Sequence, residues 1–149
     1  PGTTGAAVRQ QLAWYFKERG ENARASAAID SHAIAARIIL ARLGSPNKDK
    51  VVLRGANGSL QDILLALQKG NPVGIFTCLT PPGHFNTIVG VFERDGVLVF
   101  RVHDSYGNFF PQWNPASYGK GAYVEYPVDW YLKYLTTGGW AYYYYVDRG

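Results

Sequence analysis

With three histidines and a single cysteine in 149 residues, acid–base or nucleophilic chemistry has few side chains to draw on. The most suggestive is His84, twenty positions before Asp104 in two apolar runs separated by Arg94-Asp95-Gly96. A three-residue loop there, with Gly96 left-handed, would pair Glu93 with Val97 and set Asp104 opposite Asn86. His84 then lies diagonally across on the same face, about 7–8 Å away at the backbone and within side-chain reach. A two-residue loop would slip the pairing by one and turn Asp104 to the other face. An imidazole held by a carboxylate is the base-and-orienter half of a nucleophilic triad.

The same counting across Leu79-Thr80-Pro81-Pro82-Gly83 places Cys78 directly opposite His84, where an imidazole could activate a thiol. A strand end offers no helix N-terminal amides for an oxyanion, so Cys78 reads first as a packed cysteine and second as a nucleophile. His103 alternates with Asp104 and should point to the opposite face, in a surface or structural role. His32 falls in the first turn of an expected helix and should face solvent. The histidines lack i, i+4 spacing and no second cysteine exists, so neither a metal nor a cofactor is expected. Gly55-Ala56-Asn57-Gly58 precedes a helix without the spacing of a phosphate loop.

The elements that must position these residues follow from periodicity. Helices are expected from Thr3 or Thr4 to Gly20, from Asp30 or Ser31 to Gly44, and from Ser59 to Gly70. The third is the clearest, with Ser59 and Asp62 as a capping box and Leu60, Ile63, Leu64 and Leu67 as its stripe. After Pro72 the pattern changes to strands at 73–78, 84–93 and 97–103, then a Gly/Pro/Asn-rich surface loop over 107–121 that should border the site. A strand at 122–126, a short helix at 128–135 and a strand at 140–146 complete the chain. Tyr142 to Tyr145 reads as a strand with one face buried. Helices first and sheet second is an α+β order.

At this length the chain suits one domain, 1–149, able to bury roughly 70% of its unfolded surface. The absence of an opening methionine suggests a domain taken from a longer protein. A net charge of +4 and a pI near 9.2 come from dispersed basic residues, without a Lys/Arg stripe, so nucleic acid is not an expected partner. No apolar run approaches the ~20 residues of a membrane span. One cysteine leaves the redox compartment open, since secreted and phage-borne domains are also poor in cysteine. The sequence does not set the oligomeric state.

The stretch from "QKGNPVGIF" through "PPGHFNTIVGVFERDGVLVFRVHDSYGNF" resembles the second half of the bacteriocin-leader-type, papain-like cysteine peptidases, a group that includes peptidoglycan-cutting domains. The shared pieces are Gly83-His84-Phe85 and Asp104-Ser105-Tyr106-Gly107, within residues 59 to 110. The resemblance implies an α+β domain with N-terminal helices on a twisted antiparallel sheet and a cleft between them. It further implies catalytic His84 and Asp104, and a peptide or cell-wall stem peptide as substrate. Gly5, Gly83, Asn86 and Tyr106 are the residues placed to touch it. The family's Cys-Gly step at the start of its first long helix falls on Thr4-Gly5, so Thr4 stands where the nucleophile is expected. Three explanations follow: a degenerate relative, a substituted nucleophile, or a nucleophile elsewhere. The rival functions are a non-catalytic peptide- or glycan-binding domain on the same fold, and a structural or assembly domain of a larger protein.

Overall fold

The computed structural model describes residues 25–54, 58–80, 83–135 and 142–149. The expected first helix, with Thr4 and Gly5, lies outside the described residues, as do Pro81 and Pro82. The described elements are α1 (Ala25–Arg42), β1 (Val51–Arg54), α2 (Leu60–Gln68), β2 (Val73–Thr77), β3 (His84–Arg94) and β4 (Val97–His103). They continue with a 3-10 turn (Pro115–Ser117), β5 (Val124–Pro127), α3 (Val128–Leu132) and β6 (Tyr143–Val146). The chain is α+β, built on one six-stranded antiparallel sheet in the order β1-β6-β2-β3-β4-β5.

Strand alternation sorts this sheet into two faces. Val73, Ile75, Ile88, Phe100, Val102, Tyr126, Tyr143 and Tyr145 form one, buried with Ile63 and Ala66 of α2 and with Val128, Tyr131 and Leu135. Tyr143 and Tyr145 are buried while Tyr144 points the other way, as expected of a tyrosine strand with one buried face. α1 runs against β1, β2 and β6, and His32 stacks on Phe85, whose side chain is opposite in sense to those of His84 and Asn86. The described helices therefore do not form a single layer: α1 meets one face and α2 the other. β1 was not anticipated at all. Its only sequence signal is Val51-Val52 after a polar stretch, and its place is fixed by pairing with β6 rather than by local pattern.

Three local expectations need correction. α1 already includes Ala25, upstream of the expected cap at Asp30 or Ser31, because alanine-rich Ala25–Ala28 favours helix. At α2, Ser59 Oγ does accept from Asp62 N at 3.1 Å, but the reciprocal arm of the capping box is not made. Ser59 N donates instead to Tyr143 Oη at 3.0 Å, and the Asp62 carboxylate turns toward Arg54, Tyr143 and Tyr145.

The third correction concerns the β3–β4 hairpin. Arg94 pairs with Val97 across a two-residue turn, with Asp95 and Gly96 at φ 53° and 78° as a type I′ turn requires. By itself this slip would send Asp104 to the wrong face. A bulge between Ile88 and Gly90 adds Val89 to β3 and restores the register, so that Ile88 faces Val102 and Thr87 faces His103. One step further along, Asn86 faces Asp104. The expected pairing is reached by two opposite one-residue shifts.

Candidate active site around His84 and Asp104

His84 opens β3, and Asp104 directly follows β4 on the same face. Their side chains meet with His84 Nε2 2.6 Å from Asp104 Oδ1, both within the protein's interior. Asp104 collects further donors: Tyr106 N at 3.0 Å on Oδ1 and Tyr126 Oη at 2.8 Å on Oδ2. With the Asn86 amide oriented so that its oxygen accepts from Tyr131 Oη at 2.8 Å, its nitrogen donates to Asp104 Oδ2 at 3.1 Å. Four donors thus converge on a carboxylate that is 2% exposed, occupying the acceptor sites an ionised carboxylate offers.

Burial drives the hydroxyls of Tyr126 and Tyr131 well above their ordinary pKa, and the neighbouring Asp104 charge adds to this. Both therefore stay protonated donors. Tyr126 Oη also accepts from Phe109 N at 3.1 Å, which ties the 105–123 loop to the carboxylate it borders. The His84 ring lies between Tyr106, stacked at 4.5 Å and 14°, and Phe109 at 5.7 Å.

In a neutral ring that donates Nε2–H to Asp104, Nδ1 carries the lone pair, the form in which an imidazole acts as a base. Among the described residues none hydrogen-bonds Nδ1. The nearest hydroxyl by register is Thr77, the cross-strand partner of His84, yet it is fully buried and accepts from Leu79 N at 3.4 Å.

Cys78 is not opposite His84. Thr77 takes that place, which turns Cys78 away from the imidazole, and its backbone N donates to Tyr134 O at 2.7 Å. The thiol is exposed rather than packed, and its partial desolvation pushes its pKa up, the reverse of activation. The loop after β2 begins one residue earlier than expected because the main chain at Cys78 leaves the ladder for Tyr134.

Of the substrate-contact candidates, Asn86 and Tyr106 both touch the pair, Asn86 as a buried donor and Tyr106 as the half-exposed cover of the ring. Gly83, at φ 98°, lies so close against the Phe76 ring that a side chain there would collide with it. Thr4 and Gly5 lie outside the described residues. His32 sits in the second turn or later of α1, not its first. Its ring stacks on Phe85 at 4.1 Å, and the burial this brings lowers its pKa. His103 faces away from Asp104 as expected, accepting from Tyr123 N at 3.3 Å.

Tyr126 and Tyr131 were not anticipated as site residues. Only the tertiary approach of β5 and α3 to β4 brings their hydroxyls to the pair. A cavity of about 390 Å³ opens on the other face, lined by His32, Phe85, Thr87, His103, Gly119 and Gly121, with Asp104 at its rim; His84 does not line it. The 105–123 loop is mostly exposed, with its start over His84 and its end beside that cavity. Gly121 comes so close to the Asp104 carbonyl that no side chain fits there, and its own carbonyl accepts from Asp104 N at 2.8 Å.

Among the described residues no helix is long and apolar enough to cross a membrane. No protein family, curated protein or solved structure was found to match the chain.

Proposed function

We propose that the chain is an amide hydrolase domain of the papain-like cysteine-peptidase type, acting on a peptide or a cell-wall stem peptide. The observation that carries this reading is the buried His84–Asp104 pair, in which Nε2 meets the carboxylate and Nδ1 meets no hydrogen-bond partner among the described residues. The reaction needs a thiol that this chain does not carry at position 4: with Thr4→Cys in place, the thiolate attacks the scissile carbonyl, a thioester forms as the C–N bond breaks, and water then hydrolyses the thioester. His84 takes the nucleophile's proton and returns it to the leaving amine, while Asp104 fixes the tautomer and stabilises the imidazolium. Gly83-His84-Phe85 and Asp104-Ser105-Tyr106-Gly107 support the family assignment by resemblance. The same resemblance assigns the nucleophile's place to Thr4 and the oxyanion amides to its helix start, with Gly5.

The test uses a Cys78→Ser background, in which Thr4→Cys supplies the sole thiol. The expected result is His84-dependent thiol labelling at about pH 6, where an ordinary thiol is almost wholly protonated. Cleavage of a stem-peptide amide should accompany it and fall roughly 10³-fold or more with Asp104→Asn. A Thr4→Cys thiol that labels no faster than Cys78 and cleaves nothing would overturn the hydrolase reading. The second reading, a binding domain without turnover, draws on the near-complete enclosure of His84, 6% exposed beneath Tyr106.

A further inference from the structure

Among the described residues, exposed aromatic side chains are unevenly distributed. Tyr106, Phe110, Trp113, Tyr118 and Tyr123 all lie in the single segment between β4 and β5. Tyr118 is 65% exposed, Trp113 46% and Tyr106 42%, an unusual outlay of apolar area in water.

The segment that carries these rings is held in one shape. Ser117 Oγ accepts from Asn108 N at 2.7 Å and donates to Asn114 O at 2.6 Å. Trp113 Nε1 donates to Tyr106 O at 2.9 Å, and Phe109 is buried as an anchor. Tyr106 covers His84 with one face, and its ring centroid is 6.1 Å from that of Tyr118, with the two planes only 23° apart. Exposed rings with two side-chain torsions on a pre-ordered loop lose little entropy when a ligand settles on them.

The polar groups around the rings select among ligands. Residues 105–120 contain no aspartate or glutamate and one cation, Lys120. Asn108 Oδ1 accepts from Phe110 N at 2.9 Å and Asn114 Oδ1 from Ala116 N at 3.1 Å, so each amide turns its oxygen inward. Their NH₂ groups, with Gln112 and Ser105, make a neutral rim of donors and acceptors. A nucleic-acid strand would stack on the rings but needs several cations for its phosphates, which this segment does not supply. A pyranose fits both features. Its C–H face matches an aromatic ring, and its hydroxyl and acetamido groups match neutral amide and hydroxyl partners.

We propose that Tyr106, Trp113 and Tyr118 form a shelf that binds the sugar rings of a neutral glycan strand beside His84. This site goes beyond the hydrolase reading and does not depend on turnover. A soluble oligomer of N-acetylglucosamine, titrated into the chain by isothermal calorimetry with the indole signal of Trp113 followed in parallel by NMR, should give saturable binding and a saturable shift. Tyr118→Ala and Trp113→Ala should each weaken binding by roughly three- to tenfold. Tyr123→Ala, whose ring rests on His103 on the opposite face, should leave it unchanged.

Absence of saturable binding, or binding indifferent to both Tyr118→Ala and Trp113→Ala, overturns the proposal. So does a Tyr118-dependent preference for a single-stranded oligonucleotide or for a glycan-free stem peptide over the sugar oligomer. Glycan binding without amide cleavage in the chain carrying Cys78→Ser and Thr4→Cys would sink the hydrolase reading alone. Cleavage without glycan binding would sink the shelf alone.

Discussion

Asp104 and Asp62 are built alike and placed differently. Asp62 is met by two tyrosine hydroxyls and Asp104 by one, and each also meets a nitrogen cation or base carried by a strand. Asp62 takes Tyr143 Oη at 2.7 Å, Tyr145 Oη at 3.1 Å and Arg54 Nε at 3.1 Å, at the first turn of α2. Asp104 takes Tyr126, Asn86, the Tyr106 amide and His84 at the end of β4. The Asp62–Arg54 pair is open to water, with side chains 25% and 36% exposed, whereas Asp104 is enclosed. Arginine keeps its charge throughout the working range and cannot exchange a proton. Histidine can, and the network around Asp104 holds one nitrogen of His84, the other meeting no hydrogen-bond partner among the described residues. A tyrosine–carboxylate cluster thus fastens two elements with an arginine in one place and holds a buried histidine in the other.

The sharpest break of this comparison is Asp104→Ala. It strands a buried imidazole, a tyrosine hydroxyl, an amide and a backbone N–H without an acceptor, and should cost about 3–5 kcal/mol in urea unfolding. A loss no larger than that of Asp62→Ala would mean that the enclosed network is not what its geometry indicates. Next is Tyr126→Phe, which deletes one donor to Asp104 and the acceptor for Phe109 N. An expected cost of about 1–2 kcal/mol comes with a shift in the His84 imidazole NMR signals, because the carboxylate loses a donor. Unchanged His84 signals would place Tyr126 in packing alone.

The smallest effect distinguishes the outer cluster by pH. Burial alone would raise the Asp62 pKa, but hydrogen bonds from Tyr143, Arg54 and Tyr145 outweigh it and hold the carboxyl below its ordinary value. A carboxyl depressed in the folded state stabilises it above the unfolded pKa of about 3.9, and that contribution disappears as pH falls through the lower folded value. Asp62→Asn should therefore cost about 1 kcal/mol or less near neutrality, the range for a pair this open to water. The difference from the parent chain should shrink below about pH 4. A difference that grows on acidification would reverse the assigned direction.

Most of the helix and strand pattern was legible because it rests on local periodicity and punctuation. The stripe of α2, its Ser59 cap, the Asp95-Gly96 turn and the alternating tyrosines of β6 all carry their signals within a few residues. The pairing of His84 with Asp104 was legible as well, though through a hairpin whose turn is shorter by one residue than expected. No local signal announces the bulge at Val89, since its cause is the demand that His84, Asn86 and Ile88 share the buried face with Asp104 and Val102.

What the sequence by itself determined is most of the described elements though not β1, the α+β class, and the meeting of His84 with Asp104. Tertiary structure alone decided that Thr77 rather than Cys78 faces His84. It also decided that α1 and α2 take opposite faces, and that Tyr126 and Tyr131 complete the environment of Asp104. The physical reason is range. Helix and strand signals come from neighbours along the chain, whereas a buried carboxylate draws its donors from wherever packing brings them, here 22 positions away at Tyr126.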